Sequence, residues 1–326
     1  MRGKIIQFIR AVCFVSLIMS ILTFISSCIR DGVEECQLED RSLTVSFTYD
    51  RNTRAFITFN MDEVKKAVLY IYDDKDDYVT EWSLENPVFN KEYDTGLILD
   101  PGQYSMVVWF NPDAPYQVIT ESLGQVGKTC RSESQLMLIV PDDGCIRDIL
   151  PPLLHGSIFN AGIKNGTGNA FAIPMSLNNN IINLTVNGLP VNDDIYEFTV
   201  SDNNGHYTFD NDFVDCDHFN YVATMKFPVS TKAATNNILN ASLTVLKLAG
   251  DRSARITLEN QTTGQQLYPV YDGQTDDLID LILKVNPEND FKQTNIYNIT
   301  LDFNADLTVS ITINGWRLKE SGNEIL

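Results

Sequence analysis

Short segments in which apolar and polar side chains alternate one for one recur through most of this chain, and they restrict its fold more than any other feature. Side chains of a strand point to opposite faces in turn, so a period of two marks a strand with one buried face. Leu43, Val45, Phe47 and Tyr49 alternate with Ser42, Thr44, Ser46 and Thr48. Ile182, Leu184 and Val186 alternate before the turn dipeptide Asn187-Gly188. Segments 242–248, 254–259, 297–303 and 307–313 continue the pattern. A strand at 67–72 is closed by Asp73-Asp74-Lys75-Asp76-Asp77, and Tyr78 starts the return. A strand at 97–99 ends at Asp100-Pro101-Gly102, where proline presets φ and glycine is expected to take a positive φ. Segment 104–110 then runs as a nearly unbroken apolar strand up to Asn111-Pro112. Strands at 196–200 and 207–209 flank Asp202-Asn203-Asn204-Gly205, which reads as a hairpin turn. Short strands spaced by roughly ten residues predict an all-β chain built of sandwiches or barrels.

Two segments depart from the pattern. Thr275-Asp-Asp-Leu-Ile-Asp-Leu-Ile-Leu283 has a cap residue, acids in its first turn and apolar residues at helical spacing, so it predicts a short helix. A second helix is expected around 116–126. The stretch Asn165-Gly-Thr-Gly-Asn169 reads as a linker, dividing the mature chain into a domain at 41–165 and another at 166–326.

The N-terminus is of a different kind. Residues 1–27 contain Arg2, Lys4 and Arg10 and no acid, and an apolar run extends from Ala11 to Ile25. A basic start, an apolar middle and small residues at the end make a signal peptide. The run is shorter than the ~20 apolar residues of a membrane-spanning helix. Ile25-Ser26-Ser27-Cys28 resembles a bacterial lipobox, in which the cysteine thiol accepts a diacylglycerol and becomes the first mature residue. Several acyl chains on Cys28 suffice for stable anchoring. Residues 28–40 then form a lipidated linker whose early acids, Asp31, Glu34 and Glu35, look like a surface-export tether. A trypsin-like cut near Arg30, Arg41, Arg51 or Arg54 is also open.

Removing residues 1–27 takes away three bases and no acid, so the formal charge of -19 becomes -22. Nucleic acid is excluded as a partner, because its binding needs clustered lysine and arginine. Beyond the signal and Cys28 the chain has Cys36, Cys130, Cys145 and Cys216, whose pairing sequence alone does not choose. Cys130 and Cys145 flank the strand expected at 135–140 and are the best local pair.

Residues that carry chemistry are sparse. His155, His206 and His218 are far apart, and His206 is expected at the surface. Asp215-Cys216-Asp217-His218 lacks further ligands at zinc spacing and reads as a polar loop, so no metal is expected. The acids at 73–77 lack the glycine and distal glutamate of a calcium loop and read as a solvated hairpin turn. No nucleophile elbow, zinc-helix motif or phosphate loop occurs, and neither an enzyme activity nor a cofactor is expected. Five Asn-x-Ser/Thr sequons begin at Asn165, Asn183, Asn240, Asn260 and Asn298. Beside a lipobox they read as coincidence.

Several pieces taken in order resemble the FimB-type anchor subunits of Bacteroidales fimbriae. They are the lipobox with a second cysteine at Cys36, then Leu43-Thr-Val-Ser-Phe-Thr-Tyr-Asp50, then Val64-Lys-Lys-Ala-Val-Leu-Tyr-Ile-Tyr-Asp73. Leu99-Asp-Pro-Gly-Gln-Tyr-Ser-Met-Val-Val-Trp109, Leu153-Leu-His-Gly156 and Asn314-Gly-Trp316 follow. The resemblance implies two transthyretin-like β-sandwich domains, a lipid-anchored outer-membrane location, and major and accessory fimbrial subunits as partners joined by strand insertion. It implies no catalytic residue. Leu307, Val309, Ile311 and Ile313 form one apolar face and are the candidate donor strand, with the alternative that they complete their own sandwich. A rival reading is a surface lipoprotein that binds glycan or host protein, with Trp82 or Trp316 as a stacking platform.

Overall fold

The structure is a computed structural model that describes residues 42–49, 60–119, 130–165, 168–228, 238–270, 275–304 and 308–318. These are mostly strands, as the alternation requires. The first sheet has seven strands. In spatial order they are β3 (Tyr78–Glu85), β2 (Lys66–Tyr72), β5 (Gly102–Phe110), β9 (Leu154–Ile163), β10 (Asn169–Leu177), β1 (Ser42–Thr48) and β4 (Glu92–Ile98). All neighbours are antiparallel except β1 and β10, which are parallel.

The two end strands of this sheet meet through Trp82 of β3 and Tyr93 of β4, whose ring centroids are 6.2 Å apart. Leu43, Val45 and Phe47 of β1 share one core with Ala67, Leu69 and Ile71 of β2 and Met106, Val108 and Phe110 of β5. The rings of Phe47 and Phe110 meet edge to face at 5.0 Å. The opposite face of β2 and β5, with Val68, Tyr70, Tyr72, Val107 and Trp109, is buried in a second core shared with the rest of the chain. Both faces of these two strands are therefore dry, which is why 67–72 and 104–110 read as unbroken apolar runs.

The second half holds a five-stranded sheet in the order β15 (Ile238–Leu246), β11 (Asn179–Asn187), β19 (Ile296–Phe303), β20 (Val309–Ile313) and β21 (Trp316–Arg317). A six-stranded sheet runs β17 (Gln265–Tyr268), β16 (Arg255–Asn260), β12 (Tyr196–Asp202), β14 (Phe219–Met225) and β8 (Cys145–Ile146), with β18 (Asp276–Asp277) also on β16. A small sheet of β13 (His206–Thr208), β7 (Gln135–Leu138) and β6 (Tyr116–Ile119) combines strands from both halves of the chain. Helix α1 (Leu278–Val285) starts at Asp277, whose carboxylate accepts from the N–H of Ile279 at 2.8 Å. Leu278, Ile279, Leu281 and Ile282 enter the larger core.

Four expectations are corrected. The second helix is absent at 116–119, where Tyr116-Gln-Val-Ile119 pairs residue for residue with β7, while 120–129 lie outside the described residues. Gly102 does not take a positive φ and is already the first residue of β5. The stretch 165–169 joins β9 to β10, which pair antiparallel, so the first sheet continues to Leu177. Segment 202–205 is no hairpin turn: β12 and β13 lie in different sheets, and Asp202 and Asn204 are buried.

Candidate functional site

Two features place the sequence motifs, a slot holding the N-terminal strand and a joint between the halves. In the slot, β1 lies between β10 and β4 and pairs with both. Leu43, Val45 and Phe47 are 0% exposed. Each such side chain contributes roughly 1.5–3 kcal/mol by leaving water. Thr95 adds a hydroxyl bond to the Leu43 carbonyl at 2.8 Å.

At the joint, segment 207–211 presses against the second face of the first sheet. Phe209 packs on Tyr70 at 4.9 Å between ring centroids and also on Tyr72 and Trp109. His155 packs on Trp109 with the rings tilted and their centroids 4.7 Å apart, and its Nε2 is 2.9 Å from the Phe209 carbonyl oxygen. Burial pushes the His155 pKa down to about 4. Asn178 and Asn211 exchange amide bonds of 2.6 and 3.1 Å. The Leu153 N–H donates to the Asn179 side-chain oxygen at 2.6 Å. Arg131 bonds Asp76 at 2.7 Å, which stands in the β2–β3 turn, and also reaches Asp210 beyond β13. The joint is thus fixed by rings inside and by paired polar groups around them.

The short motifs find local causes here. In Leu153-Leu-His-Gly156 both leucines are fully buried, His155 makes the joint, and Gly156 lets β9 and β10 approach. A Cβ at Gly156 would stand 2.7 Å from the Pro174 carbonyl oxygen. In Asp100-Pro-Gly-Gln-Tyr104 the tyrosine hydroxyl donates back to the Asp100 carbonyl at 2.9 Å. Asn111, at φ 54°, accepts from the Lys65 N–H at 2.8 Å and donates to the carbonyls of Glu63 and Pro152 at 3.0 and 2.8 Å.

The residues singled out in the sequence are not brought together. Cys28, Cys36, Arg30, Arg41, Arg51, Arg54 and Leu307 lie outside the described residues. Cys130, Cys145 and Cys216 are free thiols, so the expected local bridge is not formed. Cys130 faces the β2–β3 turn by its bridge to Asp77, whereas Cys145 pairs with β14. Val309, Ile311 and Ile313 lie in β20, which pairs with β19 of its own sheet. His206 is half-buried in β13 rather than at the surface, because it stands in a strand that pairs residue for residue with β7. Asp73 is used up in its turn, accepting from the N–H groups of Lys75 and Asp77 at 2.9 and 3.0 Å. No group of three metal-ligating side chains occurs among the described residues. Trp82 is half-buried beside Tyr93, while Trp316 is 67% exposed on another sheet. The sequence marked 207–209 as one arm of a hairpin and carried no signal that Phe209 packs on Tyr70, Tyr72 and Trp109 of the first sheet.

Comparison with known proteins adds the following. The sequence profile of the family described as fimbrillin-A associated anchor proteins Mfa1 and Mfa2 matches residues 33–322. No curated protein sequence matches the chain. The fold is similar to that of a candidate polysaccharide-binding protein of Bacteroides thetaiotaomicron, with 21% identity over 86% of this chain and 98% of that one and a TM-score of 0.67. It is similar to a candidate adhesin of the same organism, with 19% identity over 85% and 97% and a TM-score of 0.65. It is also similar to the fimbrial anchor protein Mfa2 of Porphyromonas gingivalis, with 20% identity over 85% and 98% and a TM-score of 0.63. At these identities the likeness establishes the fold.

Proposed function

The chain belongs to the family of fimbrillin-A associated anchor proteins, and from that premise we propose that it is the lipid-anchored, non-catalytic subunit that fastens a fimbria to the outer membrane. It joins the main subunits by strand insertion and limits the length of the fibre. The observation that carries this reading is β1 in its slot, with its N-terminal end leading back toward Cys28. A lipid on Cys28 is then tied to the folded body through a strand paired on both sides. A subunit that gave up this strand would open a groove for a neighbour's strand, whose backbone bonds supply affinity and whose alternate side chains fill the pockets. An anchor has reason to keep it, because the lipid would leave with the strand. Mass spectrometry of the native N-terminus tests this. A diacylated Cys28 is expected, and a terminus after Arg41, Arg51 or Arg54 with no diacylated Cys28 fragment held by the folded body overturns it.

The exposed ring of Trp316 favours one second reading, a surface lipoprotein that takes glycan or host protein. The relative described as a candidate polysaccharide-binding protein supports it in kind. Glycan binding lost in Trp316→Ala, with fimbrial subunits never recovered from outer membranes, would decide for it.

A further inference from the structure

We propose that a groove beside the edge strand β8, away from the β1 slot, docks an extended segment of a partner protein that carries apolar side chains flanked by lysine or arginine. The groove has a volume of about 660 Å³ and is lined by Pro115, Ile139, Pro141, Ile146, Ile149 and Leu150. Ile149 is 83% exposed and Ile139 47%. Two isoleucines held in water at one groove are an unspent hydrophobic contact, and apolar centres with polar rims mark partner sites. The groove follows β8, which pairs with β14 through Cys145 and Ile146 only, and no strand among the described residues lies on its other side. An extended segment fits along such an edge.

The rim chooses the occupant. It carries Asp142, Asp143 and Asp148 against one base, Arg147. Arg147 is already bonded to Asp143 at 2.6 Å. Among the described residues no cation pairs with Asp142 or Asp148, so the rim attracts positive charge. A second copy would set the same acids against themselves, in a chain of formal charge -19. The chain's own outer segments fit no better. Residues 29–41 hold Asp31, Glu34, Glu35, Glu39 and Asp40 against Arg30 and Arg41, and 319–326 hold Glu320 and Glu324 against Lys319. No aromatic ring lines the groove, so a sugar has nothing to stack on.

The test is fluorescence anisotropy with two labelled peptides on the mature chain. Both have a core of alternating valine and threonine, one flanked by lysines and the other by glutamates. The lysine peptide is expected to bind and the glutamate peptide to bind at least about tenfold more weakly. Ile149→Glu changes an exposed side chain, and its thermal melt is expected to match the parent's while the lysine peptide weakens by at least about tenfold. The double variant Asp142→Asn, Asp148→Asn is expected to flatten its salt dependence. Failure of the lysine peptide to bind overturns the proposal, as do equal binding of the two peptides and indifference to Ile149→Glu. Preference for a neutral oligosaccharide, or a dimer of this chain abolished by Ile149→Glu, overturns it in favour of that other occupant.

Discussion

His155 holds the carbonyl oxygen of Phe209 at 2.9 Å from its Nε2. A carbonyl only accepts, so Nε2 carries a proton. Burial lowers the His155 pKa from 6.5 to about 4. Between those values the unfolded chain takes up a proton that the folded one refuses, so this group's contribution falls as pH falls from 7 to 4. The full loss is roughly 3 kcal/mol. In His155→Gln, which keeps a donor and does not titrate, the drop in urea midpoint between pH 7 and pH 4.5 is expected to shrink relative to the parent. An unchanged drop refutes the assignment.

Asp202 works in the opposite sense. Burial raises its pKa from 3.8 to about 7, against the Asn203 N–H and Arg252, which pull it down. Here the folded chain holds the extra proton, so acidification from pH 7 to pH 4 strengthens this contribution and offsets the loss at His155. Asp202→Asn removes the offset. Its urea midpoint is expected to fall more steeply than the parent's over the same acid range, and a shallower fall would count against a buried, protonated Asp202.

Gly156 and Gly162 are both in β9 and separate a packing demand from a general dislike of side chains in strands. A Cβ at Gly156 meets the Pro174 carbonyl at 2.7 Å and the Met175 sulfur closer still, while one at Gly162 meets only the Gln103 side-chain amide at 3.4 Å. Gly156→Ala is expected to cost about 2 kcal/mol or more by overpacking. Gly162→Ala is expected to change the thermal midpoint little. Equal effects would remove the reason given for glycine in the Leu-Leu-His-Gly motif.

What the sequence made legible follows the same division between local and distant causes. The alternation at Ser42–Thr48 and the helical spacing of the apolar residues from Leu278 are local, and both stand in the structure, although Asp276 and Asp277 precede the helix instead of filling its first turn. The sequons, read as coincidence, have a local cause too. Asn183 with Thr185, Asn240 with Ser242 and Asn298 with Thr300 share the outer face of one sheet, where Asn183 bonds Asn298 at 2.9 Å and Ser242 at 2.9 Å. A polar face on a strand spaces its residues by two, and that spacing writes Asn-x-Thr. What stayed hidden was set by distant partners. Asp202-Asn-Asn-Gly205 has turn composition, yet Asn204 is fully buried because its amide has partners that come from β14 and the end of β15. The parallel pairing of β1 with β10 joins residues over a hundred positions apart and has no local signal.

Asn204 itself gives a prediction. Its oxygen accepts from the Tyr221 hydroxyl at 2.8 Å, and its amide donates to the carbonyls of Leu246 and Lys247 at 3.1 and 3.2 Å. The Leu246 N–H donates in turn to Tyr221 at 3.2 Å. Asn204→Ala leaves these buried groups unpaired and is expected to cost about 3 kcal/mol in urea unfolding. A loss below about 1 kcal/mol would mean that the network is dispensable.

The slot of β1 makes the strongest demand on the functional reading. Six consecutive residues of β1, Leu43–Thr48, are in register with β10 on one side, and β4 pairs on the other. A protease site inserted within 50–59 therefore cuts the covalent link without emptying the slot. The nicked chain is expected to elute as one species in native buffer and to release the N-terminal fragment only in denaturant. Phe47→Ala removes a fully buried ring at a cost of about 3–5 kcal/mol, and the same nick is then expected to shed the fragment. Prompt release from the parent chain would show that pairing alone cannot hold β1. In that case an anchor must stay uncut to keep its lipid. Retention would mean that a cut subunit holds its lipid until a competing strand arrives, so the barrier to losing the anchor is the packing of Leu43, Val45 and Phe47 rather than a peptide bond.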